Sequence, residues 1–131
     1  MFLAITDWLI PIGFGLLLGM LIATRKNVDH SQLIYLEEED FAKNMRKGQL
    51  IDIRKDAPFA EGHISGSRHF PDRSVFQNLH KLRTDQAVFL VGTGKRNPDY
   101  GIAVKLFKKG YHPIYILKGG MENWSLPTKK E

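Results

Sequence analysis

The sequence predicts an α/β domain built on a parallel sheet. Three observations carry that expectation. Short β-rich apolar runs alternate with helical periods along most of the chain. The segments joining them are long enough to require crossover connections, which return each strand in the same direction and lay helices on both sheet faces. One apolar run, Ala87-Val88-Phe89-Leu90, delivers a glycine-bearing loop, Val91-Gly92-Thr93-Gly94-Lys95-Arg96-Asn97, onto a helix start. That junction is where ligands collect in such sheets, beyond the carboxyl ends of the strands.

Taken in order, Leu33–Leu36 reads as a first strand. Glu37, Glu38, Glu39 and Asp40 open a helix that Lys43, Arg46 and Lys47 close, so both ends complement the helix dipole. Phe41 and Met45 share its apolar face, and Gly48 stops it. No histidine accompanies the acids, so they read as a solvated helix start rather than a metal site. Leu50–Arg54 is a buried strand ending in charge. Ala57–Ala60 is a helical turn, Glu61–Ser67 a loop, and Arg68–Pro71 a brief extended piece.

Between Asp72 and Leu82 the spacing of Val75, Phe76, Leu79 and Leu82 predicts a helix. After the loop, Asn97 is a candidate cap and Pro98 suits the first helical position. Ile102, Ala103, Leu106 and Phe107 then form the apolar side of a helix closed by Gly110, with Lys105, Lys108 and Lys109 on its polar side. Pro113–Leu117 is the last strand, Gly119–Trp124 a short helix after a tight glycine turn, and Leu126–Glu131 a charged, frayed tail.

Composition bounds the function. The chain has 131 residues, 43% hydrophobic and 25% charged, with a net charge of +5. Its lysines and arginines are scattered, without a basic stripe interleaved with aromatics, which argues against nucleic acid. It has no cysteine, so disulfides, thiolate metal sites and cysteine nucleophiles are excluded. No cofactor or metal is expected.

The N-terminal segment has another character. Trp8–Thr24 is uncharged, Asp7 is the first charge, and Arg25 and Lys26 follow at once. At about 1.5 Å per residue such a stretch nearly spans a hydrocarbon core of roughly 30 Å. The expected partner of residues 5–24 is therefore the lipid bilayer. The positive residues after the span place the C-terminal domain in the cytoplasm of a single-pass protein of the cell membrane. The expected organisation is a transmembrane anchor over 1–26, a linker over 27–32 and the α/β domain over 33–131.

Five stretches, in this order, carry a family resemblance: Leu50-Ile51-Asp52-Ile53-Arg54; Phe59-Ala60-Glu61-Gly62-His63-Ile64-Ser65-Gly66-Ser67; Gly94-Lys95-Arg96; Tyr115-Ile116-Leu117-Lys118-Gly119-Gly120; and Trp124. Together they resemble the rhodanese homology domain. The resemblance implies a three-layer fold with a five-stranded parallel sheet, and sulfur transfer through a persulfide on a loop cysteine three residues before the glycine matching Gly94. Val91 stands at that position. A persulfide cannot form on valine. Thr93, the loop's one hydroxyl, is a poor nucleophile without a base beside it.

The loop departs from the family further. Asn97 replaces the usual serine or threonine, and the segment from Arg96 to Gly110 is about two residues longer than usual. Residues Gly92, Thr93, Gly94, Lys95, Arg96 and Asn97 are thus a degenerate active-site loop and a candidate anion cradle, although Asp99 in the first helical turn would repel an anion there. The resemblance assigns Asp52 and Arg54 to support of the loop, or to a structural ion pair, and reads His63 as a structural histidine. The functional expectation is a rhodanese-like module without sulfurtransferase activity that binds a protein partner or a small anion. The alternative is a protein that assists sulfur transfer with a cysteine-bearing partner.

Overall fold

The structure, a computed structural model, describes residues 30–130. The expected transmembrane anchor and the start of the linker lie outside the described residues, as do the side chains of Arg96 and Asn97. Among the described residues no helix is long and apolar enough to cross a membrane.

Five strands form one sheet: β1 (Leu33–Leu36), β2 (Gln49–Asp52), β3 (Arg68–His69), β4 (Val88–Val91) and β5 (Ile114–Leu117). Their order is β1-β5-β4-β2-β3, and every pairing is parallel. The central strands β2 and β4 are buried at every residue, as expected where crossover helices cover both faces. The register sets Asp52 beside Val91 and Leu36 beside Leu117, so four carboxyl ends finish at one edge.

Three α-helices cover the sheet: α1 (Glu38–Asn44), α2 (Asp56–Glu61) and α3 (Arg96–Lys108). Alternation along the strands sorts the apolar residues into two layers. Ile51, Leu90, Ile114 and Ile116 pack with Ala103 and Leu106 of α3. Leu50, Phe89, Val91 and Leu117 pack with Phe41 of α1. Phe41 is fully buried, and its ring meets Phe89 and Trp124 edge-on at 5.5 and 6.4 Å between centroids. This edge-to-face arrangement adds to the area those rings bury.

Several local expectations change. Residues 72–82 form two 3-10 turns, Ser74–Gln77 and Leu79–Lys81, instead of one α-helix. The Asn78 side chain donates to the Ser74 carbonyl at 2.7 Å, a local bond that competes with helix continuation. The apolar residues still reach the α3-side core, so the period reported burial correctly and helix type incorrectly. Helix α3 begins at Arg96, with Lys95 as its cap. Pro98 therefore sits at the third helical position, where the missing N–H has no intrahelical acceptor to lose. Residues Gly120–Asn123 form a 3-10 turn.

The tail is not frayed. The Glu38 carboxylate accepts from the Ser125 N–H, the Ser125 hydroxyl and the Leu126 N–H at 2.6–3.1 Å. Farther along, His63 and Lys129 exchange backbone bonds of 2.9 and 2.7 Å. Nor is the acidic helix start merely solvated: Glu37 pairs with Lys118, Glu38 holds the tail, and Glu39 pairs with Lys43. On α3, the Lys105 ammonium stands 4.4 Å from the centre of the Phe76 ring.

Candidate functional site

Strand β4 ends at Val91, which has no exposed surface and packs in the α1-side layer. The chain then turns through Gly92, Thr93 and Gly94, with Gly94 at φ 93°. A second loop clamps this one from above. Gly119 and Gly120 follow β5 at φ 76° and 58°, and the Met121 N–H donates to the Gly92 carbonyl at 3.2 Å. A side chain on Gly120 would collide with the backbone of Gly92 and Gly94. The tight strand-to-helix turn expected of the glycine pair is therefore also the lid on the loop.

Asp99, on the first turn of α3, reaches back under the loop. The Gly94 N–H donates to its Oδ2 at 3.3 Å, and its carboxyl group lies against Gly92 so closely that a Cβ there would overlap it. Only 4% of Asp99 is exposed. Burial pushes its carboxyl pKa up from the ordinary 3.8, while the Gly94 and Thr93 backbone N–H groups pull it back. A loop whose amides converge on an anion thus already has one, supplied by its own chain. Sequence reasoning placed Asp99 beside the cradle as a repelling charge; the structure puts it inside.

The other expected residues divide. Gly92, Thr93 and Gly94 come together around Asp99. Thr93 Oγ1 accepts from the Lys95 N–H at 3.3 Å, and Lys95 is exposed. The Arg54 guanidinium grips Asp52 through Nε and Nη2 at 2.8–3.1 Å, with Asp52 fully buried and Arg54 7% exposed. Its remaining described bonds go to the carbonyls of Pro58 and Gly62 at 3.2 and 2.8 Å, tying the end of β2 to α2. The β2 backbone meets the loop's base directly, through the Ile53 N–H and the Val91 carbonyl at 3.0 Å. His63 is buried, with Nδ1 3.0 Å from the Phe59 carbonyl, and its ring stacks on Phe59 at 3.9 Å while His69 covers the opposite contact at 4.0 Å. Among the described residues no cluster of acids and histidines is arranged to hold a metal.

Beside the loop lies a cavity of about 420 Å³ whose wall includes Tyr35, Glu37, Gly94, Asp99 and Lys118. Tyr35 and Glu37, from the end of β1 and the start of α1, were not among the expected site residues. The register of β1 against β5 is what brings them to the loop.

The sequence model of the rhodanese-like domain family matches residues 37–126. The chain is 39% identical over 94 residues to the uncharacterized protein YqhL of Bacillus subtilis, covering 68% of this chain and 70% of that one. It is 35% identical over 85 residues to the thiosulfate sulfurtransferase GlpE of Pseudomonas aeruginosa, covering 63% of this chain and 76% of the relative. Among solved structures, a rhodanese-related protein from Thermoplasma volcanium superposes with a TM-score of 0.67 at 19% identity, over 75% of this chain and 99% of that one. A rhodanese-like domain protein from Staphylococcus aureus superposes with a TM-score of 0.65 at 17% identity, over 75% and 98%. At these identities the two structures speak to the fold alone.

Proposed function

The chain belongs to the rhodanese-like domain family, and we propose that it is a member without sulfurtransferase activity that acts as a binding or regulatory module. One observation carries the reading: Val91, fully buried, stands where the family's persulfide cysteine belongs, in a chain with no cysteine. Sulfur transfer of this kind needs a thiolate to attack the sulfane sulfur and release sulfite. Valine offers no lone pair, and Thr93 has its oxygen turned to the Lys95 amide.

The cradle that would hold an oxyanion holds Asp99, so we propose that it no longer takes thiosulfate, sulfate or phosphate. This also weakens the alternative, in which the loop would position a persulfide carried by a cysteine-bearing partner, because that persulfide is itself an anion. A protein partner engaged through other surfaces remains part of the proposal.

We further propose that residues 5–24 anchor the chain in the cell membrane with the domain on the cytoplasmic side, on the strength of the uncharged run before Arg25 and Lys26. Retention of the full-length chain in the membrane pellet after alkaline carbonate extraction is the expected result. Release into the supernatant would remove the anchor from the reading.

The activity is tested on the full-length chain with thiosulfate as donor and cyanide as acceptor, with and without a protein persulfide as partner. The expected result is no thiocyanate above the uncatalysed rate in either arm. Turnover without the partner would overturn the loss of activity, and turnover only with it would establish the assisting role.

A further inference from the structure

Among the described residues, the wall of the cavity beside the loop carries two acids, Glu37 and Asp99, and one base, Lys118. The Glu37 Oε1 and Lys118 Nζ atoms are 2.9 Å apart and offset each other at the exposed mouth. Asp99 sits deeper, nearly out of contact with water, and no described cation pairs with it. The Gly94 N–H reaches it, and the same cavity wall includes Leu117 and Tyr35, whose ring stacks on Tyr100 with centroids 6.2 Å apart.

A carboxylate has about four acceptor positions, so the bonds from the loop amides leave capacity for further donors. We infer that this cavity takes a planar organic cation, a guanidinium or amidinium group, with the Asp99 carboxylate as its anchor and Tyr35 as an apolar wall. Such cations deliver two parallel N–H donors to a carboxylate and are weakly hydrated enough to enter a partly apolar site. The volume of about 420 Å³ falls within the range of small-ligand pockets. A buried carboxyl whose pKa burial has raised is short of stabilising charge, and a cation supplies it. The inference rests on the reading that the loop no longer accepts an external oxyanion, and it names what the site accepts instead.

The test is a titration of the isotopically labelled full-length chain in mild detergent, followed by amide NMR. The probes are benzamidine, methylguanidinium and thiosulfate, each added alone. The expected result is saturable shifts at Gly94 and Gly119 with benzamidine and methylguanidinium and none with thiosulfate. Asp99→Asn, isosteric and uncharged, should weaken benzamidine binding about tenfold or more. Glu37→Gln, at the exposed rim, should weaken it roughly two- to fivefold while leaving the fold undisturbed. Absence of shifts with either cation would overturn the inference and leave the oxyanion reading standing. Benzamidine binding unchanged in both variants would overturn it as well. Saturation of the same amides by thiosulfate would overturn both.

Discussion

The Asp99 carboxyl group occupies the space that a side chain on Gly92 would need. Gly92 is thus required by its neighbour and not by its own backbone angles, since it is absent from the positive-φ glycines. Gly92→Ala should cost about 1–3 kcal/mol, the usual range for overpacking. In an Asp99→Ala background the same change should cost less than about 0.5 kcal/mol, because residues in contact couple and the clash has gone. Urea unfolding of the four proteins measures the cycle; equal costs in both backgrounds would remove Asp99 from the loop.

The same carboxylate predicts that restoring the cysteine is insufficient. Val91→Cys should give a thiol that stays unmodified by thiosulfate, since the carboxylate lying against the adjoining Gly92 opposes both thiolate formation and the approach of an anionic donor. The double variant Val91→Cys with Asp99→Ala should gain a thiosulfate-dependent persulfide, read by intact mass. A persulfide in the single variant would show that Asp99 does not guard the loop.

Two other glycines should respond in opposite directions. Gly120, at φ 58° and pressed on the Gly92 and Gly94 backbone, should lose about 3 kcal/mol or more as alanine, from left-handed strain and overpacking together. Gly101, inside α3 with open space where a Cβ would go, should gain about 0.5–1 kcal/mol as alanine. Thermal unfolding distinguishes the two signs.

Acid titration should reveal two opposed contributions. The Asp99 carboxyl is raised above its ordinary 3.8 by burial, so the folded chain keeps a proton that the unfolded chain has released. Its contribution is fully present below pH 3.8 and is lost as pH rises through the folded value. Asp99→Asn should abolish that fall. Glu38 is lowered below its ordinary 4.5, chiefly by the Ser125 backbone N–H and then the Ser125 hydroxyl. Its contribution is present above pH 4.5 and is lost as pH falls through the folded value. Glu38→Gln should remove that loss and speed hydrogen exchange at Ser125 and Leu126 at neutral pH. Unchanged exchange there would mean that Glu38 does not hold the tail.

What was legible in the sequence followed what is local or periodic. The apolar runs gave the strands, and Ile102, Ala103, Leu106 and Phe107 gave α3, because a buried face repeats at a fixed interval. The absent nucleophile was legible because it is a matter of composition. Less legible were contacts between distant segments. Nothing near Glu38 announces that it receives Ser125, and nothing near Leu126 announces that the tail is pinned. Residues 72–82 had the helical period but also Asn78, whose side-chain bond cuts the helix short. The placement of Asp99 turned on where the first turn of α3 sits against the loop, a geometric matter that spacing alone leaves open.

The sheet order has a consequence for how the domain is made. Strand β1 has β5 as its sheet neighbour, with Leu33 set against Ile114. Among the described strands, the first to be made thus waits for the last before its backbone groups are paired, and the tail that Glu38 grips emerges later still. Contacts of such long sequence separation form slowly, and an unpaired apolar strand is exposed to wrong partners in the interval.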